Sequence, residues 1–207
     1  MRQREADSGL RVVLFDVGGV LVQLNGITPL LEWLAHRIDV AQMWRMWLTS
    51  PAVRAFETGR IDADEFAAQL IREFDLPIAP RAFLESFAQW PSGLFPGVAE
   101  VVARIPPRYT KALLSNSNAL HWPRVIGEMG LGQLFEHQFV SHLTGRIKPD
   151  RAAFEHVLES LGCAPGSVLF LDDNLVNVEA ARAIGMRGAV VSGTAAVAQA
   201  LAEAGIL

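Results

Sequence analysis

The chain is expected to fold as an α/β protein: a doubly wound, Rossmann-like parallel sheet core carrying a small α-helical block. Three observations predict this. From Pro96 to the C-terminus, short apolar runs alternate with stretches of helical periodicity. From residue 27 to about residue 90 the periodicity is helical, with no strand signal. The apolar runs also end abruptly in polar residues, as strands do where such a sheet presents its carboxyl edge to a ligand.

The elements follow in order. Arg11-Val12-Val13-Leu14-Phe15 is short, β-branched and apolar, and reads as a buried strand ended by Asp16-Val17-Gly18-Gly19, with Val20-Leu21-Val22 beyond. Leu30, Leu31, Leu34 and Ile38 then recur at helical spacing, followed by Met43, Trp44, Met46, Trp47 and Leu48. Trp33, Trp44 and Trp47 are assigned to the core, the usual place for large rings on a helix. Asp62, with Glu65 three residues on, reads as a capping-box start for a helix whose Phe66, Leu70 and Phe74 share one face. Phe83, Phe87 and Trp90 line another. Beyond Pro96, helices are expected at Val98–Ile105, Val125–Met129, Ala152–Leu161, Asn177–Ile184 and Ala195–Ala204. Strands are expected at Thr110–Leu114, Phe139–Ser141, Val168–Leu171 and Ala189–Val191. The right-handed crossover rule puts the helices on both faces of the sheet.

Composition narrows the function. The chain has 207 residues, 51% of them hydrophobic and 19% charged, enough for a packed core and unlike a disordered protein. A net charge of −4 disfavours nucleic acid as a partner. No apolar run approaches a membrane span, and the charged Met1–Ser8 is a poor start for a signal peptide, so a cytoplasmic protein without a membrane partner is expected. The single cysteine, Cys163, can form no internal disulfide and no multi-cysteine zinc site; it is read as incidental. Of 18 basic residues only two, Lys111 and Lys148, are lysines. Lys offers a compact point charge that Arg does not, so each position has a claim to be examined.

The polar residues at the strand ends carry the functional signal. Asp16 follows the first strand, Ser115-Asn116 a later one, and Asp172-Asp173 a third, with Lys148-Pro149 between them. Each segment can also serve as a helix cap or loop. Together, Phe15-Asp16-Val17-Gly18-Gly19-Val20-Leu21, Leu114-Ser115-Asn116, Lys148-Pro149 and Leu171-Asp172-Asp173-Asn174 resemble, in order and spacing, the four motifs of the haloacid dehalogenase-like (HAD) superfamily. Phe56-Glu57-Thr58-Gly59-Arg60-Ile61 resembles the α-helical cap inserted after the first motif in one subgroup. The resemblance implies a core of residues 9–23 and 93–207 and a cap of residues 24–92.

It also implies roles. Asp16 would be the nucleophile, forming an aspartyl-phosphate. Asp16, Asp173 and the Gly18 carbonyl would hold magnesium (Mg2+), with Asp172 acting through water or orienting the site. That suits a hard cation, because three carboxylates brought together repel. Ser115 and Lys148 would bind phosphate, helped by backbone N–H groups near Gly18-Gly19 and Asn116. The expected activity is magnesium-dependent hydrolysis of a small phosphomonoester by a monomer or homodimer. One departure stands out: the family's phosphatases usually carry a second Asp two residues after the nucleophile, where this chain has Gly18. That Asp protonates the leaving alcohol, so esters with good leaving groups, such as sugar-1-phosphates, aryl or acyl phosphates, are expected to be favoured. A 2-haloacid dehalogenase and a non-catalytic ligand-binding homologue are the alternatives. His121 is a candidate for the pocket edge, and Arg45, Arg54 and Glu57 are candidate cap contacts that are expected to be mainly solvated.

Overall fold

The computed structural model describes residues 9–35 and 37–207. The charged stretch Met1–Ser8 lies outside the described residues. Five strands form a wholly parallel sheet: β1 (Val12–Phe15), β4 (Thr110–Ser115), β5 (His137–Val140), β6 (Val168–Asp172) and β7 (Arg187–Val190), in the order β5-β4-β1-β6-β7. Their side chains alternate between two cores, as strand geometry demands. Val13, Phe15, Leu113, Leu169 and Leu171 pack against helices α6 (Val98–Arg104) and α10 (Gly193–Glu203). Val12, Leu14, Leu114, Val168 and Phe170 pack against α8 (Arg151–Leu161) and α9 (Leu175–Ala183). Both faces are therefore covered, which is the reason the central strands read as continuous apolar runs.

Five helices fall within the segment that reads as helical: α1 (Ile27–Trp33), α2 (Val40–Thr49), α3 (Pro51–Glu57), α4 (Ala63–Phe74) and α5 (Pro80–Phe87). They share a core of their own, built around Leu30, Met43, Phe56, Phe66, Leu70, Phe83, Phe87 and Trp90. Phe56 stacks on Phe66 at 4.4 Å and Phe83 on Phe87 at 5.6 Å. Such pairs add ~0.5–1.5 kcal/mol each beyond the area they bury. Asp62 caps α4 by accepting from the Glu65 N–H at 2.9 Å, but Glu65 turns its carboxylate to Gln69, so the box is half formed. A complete capping box occurs instead at Asp39 and Gln42, opening α2. An ion pair from Arg54 of α3 to Asp150, just before α8, ties this helical block to the sheet layer.

Several elements differ from expectation. β2 (Val22–Leu24) pairs antiparallel with β3 (Pro91–Leu94), so the chain leaves for the helical block and returns from it along one two-stranded ribbon. The segment expected as an α-helix at Val125–Met129 is a π-helical turn, Arg124–Glu128, closed by the Met129 N–H donating to the Arg124 carbonyl. Ser141 leaves strand geometry and opens the short helix α7 (Ser141–Thr144). No helix among the described residues is long and apolar enough to cross a membrane.

Candidate active site

Three adjacent strands, β4, β1 and β6, end side by side, and their registers set the site. Phe15 lies level with Leu171 on one side and Leu113 on the other. Asp16, whose N–H donates to the Leu171 carbonyl at 2.8 Å, therefore comes level with Asp172. Ser115 ends the neighbouring strand. All three project where the ladder runs out, at the edge a parallel sheet leaves for a ligand.

Lys148 completes the arrangement from the loop before α8. Its ammonium donates to Asp16 Oδ1 and to Asp172 Oδ2, each at 2.7 Å, and the side chain is almost fully buried. Burial alone would lower its pKa, but the two carboxylates outweigh it and hold the ammonium charged. The Lys148 backbone is gripped as well. The Asn116 amide accepts from the Lys148 N–H and donates to the Lys148 carbonyl, both at 2.9 Å. The Asn116 side chain is thus committed to positioning Lys148, while the expectation of a phosphate donor concerns the backbone N–H groups near Asn116.

Asp172 is fully buried and saturated. Besides Lys148, its carboxylate accepts from the Asn174 N–H at 2.8 Å and from the Asn177 amide at 3.0 and 3.1 Å. It thereby fixes the position of the lysine ammonium. Helix capping falls to the neighbours: Asn174 caps α9, and Asn118 accepts from the N–H groups of Leu120 and His121. Ser115 and Asp173 are left facing the cavity.

Gly19 has a spatial role rather than the phosphate-donating one expected of it. Its N–H is already given to the Val22 carbonyl at 2.9 Å. Its φ is +72°, and a Cβ there would sit 2.2 Å from an Asp173 carboxylate oxygen. Only glycine admits Asp173 so close. The N–H groups of Val17 and Gly18, and the Gly18 carbonyl, hydrogen-bond to nothing else among the described residues.

The carboxylates of Asp16, Asp172 and Asp173 each place an oxygen within 4.8 Å of the others. Such crowding is costly. Burial pushes Asp16 up to about 7, Asp172 and Asp173 add to the rise, and Lys148 opposes it. Asp173, more open to solvent, is raised to about 6 by partial burial and by Asp172. Three carboxylates against one ammonium leave the cluster short of positive charge. With the unpaired Gly18 carbonyl beside them, the donor set is all oxygen and fits a hard divalent cation.

The cluster sits in a cavity of about 480 Å³, a size suited to a small organic ligand. Asp16, Gly18, Ser115, Asn116, Lys148 and Asp173 line its polar end. The helical block supplies the remaining wall, including Leu30, Trp44, Trp47, Glu57 and Phe87. Two expectations change here. Trp33 packs on Phe83, as a core ring should, but Trp44 lines the cavity and is solvent-exposed, and Trp47 shares its surface between core and cavity. Glu57, expected to be mainly solvated, faces the cavity, and burial lifts its carboxyl to about 7 against the pull of Lys148. Arg45 is exposed and does not line the cavity, and Arg54 is engaged with Asp150. His121 does line it, as a neutral ring: burial pushes it down to about 4, and its Nε2 donates to the Phe87 carbonyl at 2.7 Å. Cys163 packs half-buried beside the sheet, away from the cavity.

Comparison with known proteins agrees with this geometry. Residues 10–185 match the family model of haloacid dehalogenase-like hydrolases. A sesquiterpene phosphatase from Aspergillus oryzae is 28% identical over 181 residues, covering 86% of this chain and 88% of that protein. A phosphatase from Mycobacterium tuberculosis is 26% identical over 191 residues, covering 84% and 87%. A HAD family enzyme from Bacteroides thetaiotaomicron, solved with magnesium and inorganic phosphate, superposes with a TM-score of 0.72 at 20% identity, over 89% of this chain and 95% of that one. That likeness establishes the shared fold.

Proposed function

The chain belongs to the haloacid dehalogenase-like hydrolase family, and from that premise we propose that it is a magnesium-dependent phosphatase of small phosphomonoesters, with Asp16 as nucleophile and residues 24–92 as its cap. The observation that carries the reading is the Lys148 bridge. One buried ammonium binds Asp16 and Asp172 at 2.7 Å, with Asp173 in the same cluster. The similarity to named phosphatases supports it.

The residues divide the chemistry among themselves. Lys148 bonds Asp16 Oδ1, which favours the ionised carboxylate and leaves Oδ2 to attack phosphorus. The ester P–O bond breaks as the Asp16–phosphorus bond forms, and water then cleaves the aspartyl-phosphate to return Asp16 and release phosphate. Ser115 and the free N–H groups of Val17 and Gly18 are the donors for phosphate oxygens. Asp16, Asp173 and the Gly18 carbonyl would hold magnesium, with Asp172 behind them; when bound, the ion supplies neutralisation of phosphate charge. The helical block limits access of bulk water and of bulky substrates. A phosphomonoester panel with and without magnesium, using Asp16→Asn as control, tests the assignment. Equal hydrolysis by wild type and variant would refute it. Dehalogenation needs no metal, and so leaves the Asp173 carboxylate and the open Gly18 carbonyl unexplained.

Gly18 gives the site no side chain to protonate a leaving alcohol, so esters with good leaving groups are favoured. General acid catalysis is worth ~10²–10⁴-fold. Gly18→Asp is expected to recover part of it, with turnover of alkyl phosphates rising by about 10²-fold and aryl phosphates changing little. The fold can accept the change: φ at Gly18 is not positive, and a Cβ there meets only the flexible end of Leu24, at 2.9 Å. A uniform change across leaving groups of different pKa would refute the explanation.

Gly19→Ala is expected to weaken magnesium binding by about 10-fold or more. A methyl group clashes with Asp173, and its positive φ adds ~1–2 kcal/mol of backbone cost. Titration calorimetry with magnesium measures this directly, and unchanged affinity would remove Asp173 from the proposed metal set.

Glu57 predicts a pH effect. Its carboxyl loses its proton as pH rises through about 7. The carboxylate then faces a phosphate ester that is already a dianion above its second pKa of ~6. KM is expected to climb about 3- to 10-fold between pH 6.5 and 8.5, at the scale of one partly screened charge pair. In Glu57→Gln that climb should disappear. A KM rise of the same size in the variant would exclude Glu57 as its source.

A further inference from the structure

Half of the exposed large hydrophobic side chains line one cavity. Of the eight large hydrophobics that are exposed among the described residues, Leu24 (43%), Trp44 (37%), Leu48 (60%) and Leu175 (51%) all line the cavity that holds the carboxylate cluster. Side chains that both line a cavity and meet solvent form its rim. Ile27, Leu30, Met43, Trp47, Phe87 and Val125 continue the apolar surface inward. An exposed apolar cluster of this kind marks a surface awaiting an apolar partner.

Most of the polar side chains in the same wall already hold a protein partner. Asn116 clamps the Lys148 backbone, Asn118 caps the turn at His121, Asn174 caps α9 and Asn177 holds Asp172. His121 is held between Asn118 and the Phe87 carbonyl. The Trp90 indole N–H is buried without an acceptor and reaches no solvent-facing surface. Outside the carboxylate cluster with its Lys148 and Ser115, the side-chain polar groups without a partner among the described residues are those of Ser117 and Glu57, the indole N–H groups of Trp44 and Trp47, and one end each of the Asn174 and Asn177 amides. A sugar carries several hydroxyls that would each leave water for a wall that is mainly apolar and offers few scattered partners, and an unpaired polar group costs more than a hydrogen bond returns.

We propose that this apolar wall is a binding subsite for the hydrocarbon body of the substrate, so that the protein acts on monophosphate esters of apolar alcohols and phenols and discriminates against sugar phosphates. The inference rests on the phosphatase reading above and deepens it. Phosphate is held at the polar end by Lys148, Ser115 and the first-strand loop, while the ester's carbon skeleton lies against Trp44, Trp47, Leu48 and Leu175. Glucose 1-phosphate meets the demand for a good leaving group but not the demand for an apolar body. An alkylphenyl phosphate meets both.

The test is a series of 4-alkylphenyl phosphates, from methyl to pentyl, assayed with the full chain and magnesium. The alkyl group leaves the phenol pKa nearly constant, so the series varies the apolar body alone. Each buried methylene is expected to raise kcat/KM about three- to fourfold, or roughly 10²-fold across the series. Glucose 1-phosphate should fall below even the methyl member. Trp44→Ala and Leu48→Ala remove exposed side chains, so their melting temperatures should match wild type while the rise with chain length flattens. Binding of the same esters to Asp16→Asn, followed by tryptophan fluorescence, gives a second reading that needs no turnover. Affinity that grows with chain length in that variant, and less steeply when Trp44→Ala is added, supports the subsite. Hydrolysis of the whole series at one rate, with glucose 1-phosphate equal to it, would overturn the inference and leave the phosphatase reading standing. Failure of wild type to hydrolyse any ester would overturn the phosphatase reading and, with it, this claim about substrates.

Discussion

Asp16→Asn is expected to remove turnover, by about 10⁴-fold or more, while making the metal-free protein more stable. The loss of activity follows from the loss of the attacking oxygen. The gain in stability follows from the burial of Asp16 beside Asp172 and Asp173, which lifts its pKa from 3.8 to about 7. The folded state therefore holds this proton more tightly than the unfolded chain does. Below pH 3.8 both states are protonated and Asp16 costs nothing. Between pH 3.8 and about 7 the unfolded chain has lost the proton while the folded state still holds it, so the penalty grows over that window and levels off above it, at an upper bound of roughly 4 kcal/mol. Asparagine keeps the shape and an acceptor for Lys148 but removes the charge. In metal-free buffer, wild type should lose stability between pH 5 and pH 8, and the variant should not. Magnesium should narrow the gap, since a ligand at 100 times its Kd stabilises by ~2.7 kcal/mol and the variant lacks one of the proposed metal ligands. Thermal unfolding at the two pH values, with and without magnesium, reads all of this. A variant less stable than wild type at pH 8 without metal would contradict it.

Lys148→Ala is expected to give the largest loss of stability, about 3–5 kcal/mol, together with near-complete loss of activity. The reason is what it leaves behind. Asp172 is fully buried, and its remaining partners are the amides of Asn174 and Asn177; Asp16 also loses its cation. A buried carboxylate without its counter-charge is far more costly than the ion pair was favourable. The deficit should shrink as pH falls toward 5, because Asp16, already raised to about 7 by burial, then takes up its proton. Lys148→Arg keeps the charge but not the shape: a planar fork cannot replace a single nitrogen lying 2.7 Å from two separate carboxylates in a buried space. It should unfold between wild type and Lys148→Ala, with little activity. Denaturant unfolding at pH 7 and pH 5 measures the ranking, and a loss below about 1 kcal/mol for the alanine variant would show that the bridge does not carry this charge balance.

The carboxylate end of the site is legible in the sequence because strands buried on both faces leave a strong trace. Val168–Leu171 is uniformly apolar and Asp172-Asp173 breaks it at once. Lys148 is conspicuous from composition alone, because lysine is so scarce in this chain. The ribbon strand Pro91–Leu94 is not legible, since proline and glycine argue against a strand and only its partner Val22–Leu24 makes it one. Trp44 and Glu57 are misjudged for a related reason. Periodicity shows that a helix has an apolar face, but not whether that face meets a core or a cavity, and it places Glu57 on a helix without showing what stands opposite. The π-helical turn at Arg124–Glu128 depends on one shifted hydrogen bond that no residue type announces.

The register of β4, β1 and β6 has a consequence for how this site tolerates change. Asp16 and Asp172 are spaced by the ladder itself, at the ~4.8 Å interval between neighbouring strands, with Ser115 one residue further along on the other side, and not by the packing of particular side chains. A hydrogen-bond ladder is a ruler with fixed graduations. Substitutions in the surrounding core alter how long the fold survives, yet cannot move one carboxylate by a fraction of a graduation. The spacing of the two neighbouring carboxylates is thus insulated from most of the chain. A protein that shares only 20% of its residues with this chain still superposes with a TM-score of 0.72, as expected where sequence drift leaves the ladder in place.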